Sequence, residues 1–341
     1  MRFADRVLLA ALFVLPGLAS LPAETLSLVH QQRYCMGTMF DIIVYHASRP
    51  DAERAIEKAM LEIVRLDQVM SHYKADSSLS KLNREGGTGF VAVEPSLYEV
   101  IQESISFSRQ SGGAFDVTIA PLLRTWKNAY AEGRSPTANE LSEARRCVGY
   151  EKIETIAPDR IRFRSDCVEL DLGGIGKGYA VEQAVKMFRE RGVKDFMIQA
   201  GGDLYVGGTK DGRPWNLGIN DPRGPGGSSF ATLALSDATF STSGDYERFF
   251  MQDGVRYHHI LDPDSGEPAR LCRSVTIVAA SPVLADGLST GVFILGPEKG
   301  MALIEKLPDV EGVIVSSKNE VSVSSGLEDK LTILHPPTDA P

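Results

Sequence analysis

The sequence is poor in cysteine, in basic charge and in long apolar runs. Four cysteines in 341 residues are too few for a disulfide-stapled scaffold. Without a CxxC pair they signal neither a redox motif nor a structural zinc site. The 36 Lys and Arg against 45 Asp and Glu give a net charge of −9, which argues against a nonspecific nucleic-acid binder. The rest of the composition, 43% hydrophobic and 24% charged, is that of a globular protein, so disordered, fibrous and polytopic membrane classes are excluded.

The N-terminus has the pattern of a secretory signal peptide. Arg2 and Arg6 precede an apolar run of only nine residues (7–15), and small residues follow it. A spanning helix needs about 20 residues, although a retained membrane anchor is the alternative reading. We expect residues 1–19 to be the signal, with cleavage after Ala19 or Ala23. No cysteine lies near either site, so no lipid anchor is expected.

An exported protein meets an oxidising environment in which disulfides persist. Cys147 and Cys167 flank a segment that reads as two or three short strands with a turn at 157–159, so a hairpin can bring the two thiols together. We predict this disulfide. A second pair, Cys35–Cys272, is a further possibility, and four buried thiols are the alternative.

The periodicity of apolar residues predicts helices that alternate with strands and hairpins. Helices are predicted at 51–70, 96–108, 179–191 and 282–295. Strands are predicted at 34–46, 168–172 and within 196–205, and the two prolines at 336 and 337 indicate a frayed C-terminal tail over 331–341. Hairpins together with separate helices favour an α+β fold over a doubly wound sheet.

A glycine-rich loop follows the strand predicted at 168–172. In LDLGGIGKGYA (170–180) a strand opens through glycines onto a helix start, which can place backbone N–H groups and the Lys177 cation against phosphate oxygens. Gly178 follows Lys177 where a P-loop requires Ser or Thr, and the GxGxG spacing is not that of a dinucleotide-binding fold. A tight structural turn is the alternative, and Asp171 at the strand end favours a functional site.

The helix predicted at 282–295 carries a second group of polar residues. Asp286 and Thr290 are four residues apart and so share one face, with Ser289 on nearly the same side. A carboxylate, a hydroxyl and a spare backbone carbonyl form an oxygen-rich set that suits Mg²⁺. A solvated helix face is the other reading.

The segment YHHILDPDSGEPA (257–269) places two adjacent histidines before a turn rich in Asp, Pro and Gly. Side chains of adjacent strand residues point to opposite faces, so only one of His258 and His259 can face a site. Such a histidine can act as a general base. A surface histidine beside a capped turn is the alternative.

Eight motifs in this order resemble the ApbE family of FAD:protein FMN transferases, and the resemblance runs from about residue 34 to 325. The motifs are MGT (36–38), SHYKADSSLSKLN (71–83), GGAFDVTIAPLLRTW (112–126), LDLGGIGKGYA (170–180), GGD (201–203), SGDYERFF (243–250), HHILDPDSG (258–266) and ADGLST (285–290).

The resemblance implies an α+β ApbE-like fold with mixed or antiparallel sheets and packed helices, in one catalytic unit over 30–330 that can comprise two lobes. It implies a periplasmic enzyme that uses Mg²⁺ to move FMN from FAD onto a Thr or Ser hydroxyl of an acceptor protein, with AMP released. Typical acceptors are subunits of membrane redox complexes, and no nucleic acid is involved.

The resemblance also assigns roles to individual residues. The metal ligands fall on Asp286, Thr290 and the carbonyl of Gly174, and the general base on His259. The flavin contacts fall on Met36, Tyr73, Ala114, Phe115, Asp116, Asp171, Lys177 and Ile260.

Aromatic rings at Tyr73 and Phe115 can stack on planar ring systems. The family often has another residue at Gly174, and some relatives carry Asp at Ser289. A periplasmic FAD-binding protein, or a pyrophosphatase giving FMN and AMP, is the alternative that the same pocket allows.

Overall fold

The computed structural model describes residues 26–252 and 254–340, so the expected signal peptide and its cleavage sites lie outside the described residues. The helices are α1 (Arg49–Met70), α2 (Ser78–Glu85), α3 (Pro95–Gln110), α4 (Ala120–Ala131), α5 (Ala138–Arg145), α6 (Gly176–Glu190) and α7 (Pro282–Ile304). No helix among the described residues is both long and apolar enough to cross a membrane.

Sixteen strands are described, in four sheets. They are β1 (Ser27–Cys35), β2 (Thr38–His46), β3 (Val91–Ala92), β4 (Ile153–Ile156), β5 (Arg160–Phe163), β6 (Asp195–Ala200), β7 (Asp203–Gly207), β8 (Trp215–Asn220), β9 (Ser229–Leu235), β10 (Ala238–Gly244), β11 (Phe249–Gln252), β12 (Val255–His258), β13 (Cys272–Ala279), β14 (Glu311–Ser316), β15 (Val321–Val323) and β16 (Leu331–Ile333).

The main sheet has eight strands in the order β1-β2-β6-β7-β10-β13-β14-β15, and its neighbouring strands pair antiparallel. Helices α1, α6 and α7 pack against it, and the three-stranded sheet β16-β9-β8 shares a separate apolar core with it. Strand pairing of this kind with separate helices confirms the predicted α+β class. Smaller sheets are the β11-β12 hairpin and β3-β5-β4.

Helix α1 shows why the apolar periodicity predicted it. The Ser48 side chain caps the helix by accepting the N–H of Asp51, and Pro50 occupies the first turn, where its missing N–H costs nothing. Ile56, Met60 and Ile63 are at most 1% exposed and face the core. Full burial of each such side chain stabilises the fold by about 1.5–3 kcal/mol.

The structure differs from the predicted elements at three places. The strand predicted over 34–46 is a hairpin, because Met36 and Gly37 both have positive φ and turn the chain between β1 and β2. Residues 168–172 form no strand, although the side-chain amide of Asn83 pairs with both backbone groups of Leu170. The helix expected to end at 295 bends at Gly296 (φ 80°) and continues through Pro297.

The C-terminal segment is part of the fold, so the prediction of a frayed tail from 331 is wrong. Strand β16 pairs with β9. Beyond it, the Thr338 hydroxyl donates to the Asp221 carboxylate at 2.7 Å. These contacts hold the segment against the small sheet that the apolar pattern did not reveal.

The predicted disulfide Cys147–Cys167 is present, and Cys35 and Cys272 are free and buried, so the second proposed pair is wrong. Burial raises the pKa of the Cys35 thiol to about 11 and that of Cys272 to about 12, which keeps both protonated and unreactive.

The disulfide closes a loop with a sequence separation of 20 residues. Its removal by the Cys147→Ala/Cys167→Ala double substitution is expected to lower the free energy of unfolding by about 3 kcal/mol, because the unfolded chain regains the entropy of that loop. Urea denaturation measures this loss. A thiol titration of denatured, unreduced wild-type protein should find two free thiols, and a count of four would contradict the pairing.

Candidate active site

One cavity of about 860 Å³ collects residues from both ends of the chain, and all twelve residues assigned from the sequence line it. The twelve are Met36, Tyr73, Ala114, Phe115, Asp116, Asp171, Gly174, Lys177, His259, Ile260, Asp286 and Thr290. They are contributed by the β1–β2 turn, the loop after α1, the loop before α4, the glycine-rich loop, the loop after β12, and α7. The structure therefore brings the separate motifs to one site.

The glycine-rich loop packs directly onto the start of α7. The N–H of Gly178 donates to Asp286 Oδ2 at 2.8 Å. A Cβ on Gly178 would lie 2.5 Å from the carbonyl oxygen of Pro282 and 2.6 Å from Asp286 Cβ, so only glycine permits this approach. The loop thus fixes the position of the Asp286 carboxylate.

The Gly178→Ala substitution is expected to force α6 and α7 apart and to lower the free energy of unfolding by about 1–3 kcal/mol, the usual cost of overpacking. Urea denaturation measures it. Gly226→Ala is the matched control, since a Cβ there meets no atom within 4 Å. It should change stability by less than about 0.5 kcal/mol, and equal effects of the two variants would contradict the close packing.

Two buried carboxylates face one ammonium group in the cavity. Lys177 Nζ lies 2.9 Å from Asp203 Oδ2 and 3.8 Å from Asp286 Oδ1, and it donates to the carbonyl oxygen of Gly173 at 3.3 Å. Burial lowers the pKa of Lys177, but the charges of Asp203 and Asp286 outweigh it and hold the pKa above its ordinary value. Lys177 is therefore protonated at neutral pH.

The Asp286 carboxyl has its pKa raised to about 7, first by burial and then by the charge of Asp203, while Lys177 and the Gly178 N–H act in the opposite direction. A buried carboxyl group with a pKa this close to neutral pH is stabilised in its ionised form when a cation binds beside it. Asp203 was not assigned from the sequence, although it closes the GGD motif.

Three hydroxyl groups lie close together where α7 meets β10. Thr290 Oγ1 lies 3.3 Å from Ser243 Oγ, which lies 2.8 Å from Ser289 Oγ. A Cβ on Gly174 would lie 3.2 Å from Thr290 Oγ1, which places the glycine-rich loop beside this hydroxyl. Among the described residues no three His, Cys, Asp or Glu side chains gather as a metal cluster.

Carboxylate, hydroxyl and backbone carbonyl oxygens are nevertheless the ligands that Mg²⁺ accepts, and Mg²⁺ commonly keeps several waters. Asp286 Oδ1 accepts no hydrogen bond from the part of the chain described here, while Oδ2 is engaged by Gly178. The residues present therefore fit one Mg²⁺ ion.

The polar group that the loop before α4 brings to the cavity is already hydrogen-bonded within the protein. Asp116 accepts hydrogen bonds from the Thr118 N–H and hydroxyl and from the Tyr150 N–H, and burial raises its pKa. Phe115 is 3% exposed and packs edge-on against Phe107. Phe115 thus lines the cavity with little exposed surface, and Tyr73 is the more open of the two aromatic rings.

Tyr73 is 74% exposed at the cavity wall. Its ring lies 3.8 Å, centroid to centroid, from that of His72. His72 Nδ1 is 3.3 Å from Asp171 Oδ2, and Asp171 Oδ1 accepts the N–H of Gly173 at 2.6 Å. The Tyr73 ring is thereby connected to the glycine-rich loop.

The two histidines separate as the strand geometry predicts. His258 is buried and its Nε2 lies 2.7 Å from the carbonyl oxygen of Ala269, whereas His259 lines the cavity. His259 Nδ1 lies 3.3 Å from the carbonyl oxygen of Arg248. Because a carbonyl oxygen only accepts, this contact places the proton on Nδ1 and leaves the Nε2 lone pair free.

Desolvation by the surrounding protein lowers the pKa of His259 below its ordinary value, and the positive charge of Arg248 adds to this, while the contact with the Arg248 carbonyl oxygen acts in the opposite direction. The imidazole is accordingly neutral at pH 7 and can accept a proton. Arg248 also lines the cavity, and a Cβ on Gly37 would lie 3.4 Å from its Nη2. Sequence reasoning missed Arg248, although it lies within the SGDYERFF motif.

The cavity thus combines an open aromatic ring, a cation, a group of oxygen atoms near Asp286 and a neutral histidine. These groups suit a ligand that carries both planar rings and phosphate groups. The family model of the ApbE family matches residues 36–314. The chain belongs to this family.

Curated relatives and solved structures agree with this assignment. The FAD:protein FMN transferase of Treponema pallidum is 32% identical over 88% of this chain and 87% of its own length, and that of Vibrio cholerae is 33% identical over 88% and 90%. The crystal structure of the ApbE protein from Thermotoga maritima matches with a TM-score of 0.81 at 31% identity, over 89% of this chain and 99% of its own.

Proposed function

We propose that this protein is an FAD:protein FMN transferase. It moves FMN from FAD onto a Thr or Ser hydroxyl of an acceptor protein, depends on Mg²⁺ and releases AMP. The observation that carries the proposal is the convergence of Tyr73, Lys177, Asp286 and His259 on one cavity. The curated relatives named FAD:protein FMN transferase support it.

Each part of the cavity suits one part of FAD. The open ring of Tyr73 offers a stacking surface for a planar ring system. The protonated Lys177 supplies positive charge for the pyrophosphate. Asp286, Thr290 and the carbonyl of Gly174 would hold the metal ion, which when bound neutralises phosphate charge as a Lewis acid.

His259 is the general base of the proposed reaction. Its free Nε2 accepts the proton of the acceptor hydroxyl as the hydroxyl oxygen forms a bond to the phosphorus on the FMN side of the pyrophosphate. The bond from that phosphorus to the bridging oxygen breaks, and AMP leaves with the bridging oxygen and its electron pair. No oxidation or reduction occurs, so atoms and charge balance without another reactant.

The acceptor is proposed to be a subunit of a membrane redox complex, and the reaction is proposed to take place in the periplasm. The N-terminal pattern supports export, because a charged n-region precedes a nine-residue apolar run. The free thiols are buried and the half-exposed pair is oxidised, as expected in an oxidising compartment.

The Tyr73→Ala substitution is expected to raise the dissociation constant for FAD about tenfold, because stacking on an aromatic side chain contributes about 1–3 kcal/mol per ring. Tyr73→Phe keeps the ring and should bind FAD like the wild type. Fluorescence titration of FAD measures both constants. Wild-type affinity in the alanine variant would show that the ring does not contact flavin or adenine.

The transferase is separated from the alternative FAD-binding or FAD-hydrolysing protein by one incubation with FAD, Mg²⁺ and an acceptor domain. In-gel flavin fluorescence on the denatured acceptor is the expected result. An acceptor in which the target Thr is replaced by Val should remain dark. Free FMN and AMP with a dark wild-type acceptor would indicate a pyrophosphatase, and intact FAD would indicate a binding protein.

A further inference from the structure

The Lys177 ammonium is shared unequally between the two buried carboxylates. It is in direct contact with Asp203 Oδ2 at 2.9 Å but stands 3.8 Å from Asp286 Oδ1. The other oxygen of Asp203 accepts the hydroxyl of Ser241, so this carboxylate is held from both sides. Asp203 and Asp286 are only 4% and 3% exposed, so water screens neither interaction strongly.

Asp286 Oδ1 is the oxygen that Lys177 and a divalent cation would both approach. Oδ2 already accepts the N–H of Gly178, so Oδ1 is the oxygen of this carboxylate that is more open to a metal ion or an ammonium group. An ion-paired N–H···O contact measures about 2.7–2.9 Å. Lys177 would therefore need to move only about 1 Å to occupy this oxygen.

We propose that Asp203 is a positioning residue that holds the Lys177 ammonium away from Asp286 Oδ1 and so keeps this oxygen available to a divalent cation. The proposal rests on the metal site of the proposed function. Asp203 here acts through Lys177 and is not itself a metal ligand. Without the Asp203 charge, Lys177 has one buried carboxylate left to pair with, and that carboxylate is Asp286.

Two other roles of Asp203 would also weaken metal binding in an Asp203→Asn variant. Asp203 could be a direct ligand, or it could merely add negative charge to the site. Neither role requires Lys177, so both predict the same loss whether or not the ammonium is present. The positioning role alone predicts that the loss depends on Lys177, and a double-mutant cycle measures this dependence.

The experiment titrates Mn²⁺ into the purified protein and follows free Mn²⁺ by electron paramagnetic resonance. Asp203→Asn is expected to raise the Mn²⁺ dissociation constant about tenfold, and Lys177→Gln to lower it, because the competing cation is gone. In the Lys177→Gln background, Asp203→Asn should raise the Mn²⁺ dissociation constant only about twofold. The proposal is overturned if Asp203→Asn raises the dissociation constant as much or more in that background as in the wild type. It is also overturned if Asp203→Asn alone has no effect.

Ser241→Ala provides a second route that leaves every charge in place. It removes the hydrogen bond that orients Asp203, and it should weaken Mn²⁺ binding in the same direction by about two- to threefold. Thermal unfolding of each variant reports whether the fold is retained. If Asp203→Asn fails to fold, unchanged Mn²⁺ binding in folded Ser241→Ala overturns the proposal.

Asp286→Ala distinguishes failure of this inference from failure of the proposed metal site. Loss of Mn²⁺ binding in Asp286→Ala together with unchanged binding in Asp203→Asn would overturn the positioning role alone. If Asp286→Ala binds Mn²⁺ like the wild type, the metal does not use this carboxylate, and both the metal site and the inference fail.

Discussion

Replacement of Asp286 by alanine is expected to lower the rate of FMN transfer by about 10²–10³-fold, with the fold retained. The magnitude follows from the removal of the one carboxylate of the proposed metal site, since groups that neutralise developing charge in a water-poor site are each worth about 10²–10³ in rate. The residual oxygen donors, Thr290 and the carbonyl of Gly174, are uncharged and cannot replace it.

The alanine variant also loses the acceptor of the Gly178 N–H, which lies 2.8 Å from Asp286 Oδ2. An unsatisfied buried donor costs about 1–3 kcal/mol of stability, so a loss of activity by itself would be ambiguous. Asp286→Asn resolves this, because the amide oxygen can still accept from Gly178 while the charge is gone.

Both Asp286 variants should therefore fail in FMN transfer, and the asparagine variant should unfold at nearly the wild-type urea concentration. Asp329→Ala, an exposed carboxylate outside the cavity, is the matched control and should be fully active. The account is contradicted if Asp286→Asn transfers FMN at the wild-type rate with Mg²⁺ present.

The second large effect is expected at His259. His259→Ala should slow FMN transfer by about 10²–10⁴-fold, the usual contribution of a general base, and leave the dissociation constant for FAD within about twofold of the wild type. The reason is geometric: the Nδ1 contact with the Arg248 carbonyl fixes the neutral tautomer, and the ring lies on the cavity wall and not in the core.

The neighbouring His258 is the matched control for His259. It is buried, packs edge-on against Phe293 and contacts the carbonyl oxygen of Ala269 at 2.7 Å. His258→Gln should lower the free energy of unfolding while folded protein retains most of its transfer rate. Single-turnover rates and FAD titrations separate the two histidines, and loss of FAD binding in His259→Ala would assign that residue to binding instead of proton transfer.

The twelve residues assigned from the motifs line one cavity, whereas the contacts between those motifs could not be predicted from local patterns. Asp286 and Thr290 could be placed on one helical face because a helix has a fixed period, and the structure keeps them on α7. The approach of Gly178 to this helix, by contrast, depends on residues more than 100 positions apart in the chain. No local pattern encodes such a distance.

Tertiary packing also explains which features of the site could not be predicted from the sequence. Phe115 and Tyr73 both line the cavity, but only the packing of Phe115 against Phe107 shows that the first ring is nearly buried and the second is open. Asp203 and Arg248 belong to recognisable motifs, but their contacts follow only from the three-dimensional structure. Asp203 pairs with Lys177, and the carbonyl oxygen of Arg248 contacts His259. The small sheet β16-β9-β8 joins a segment near 217 to one near 332, a pairing beyond any local periodicity.

The most direct test of the central proposal is the intact mass of an acceptor domain after incubation with the protein, FAD and Mg²⁺, together with the amount of AMP formed. The account predicts an acceptor heavier by one FMN less one water, with one AMP released per modified acceptor. An acceptor of unchanged mass, with FMN and AMP both free in solution, would contradict it.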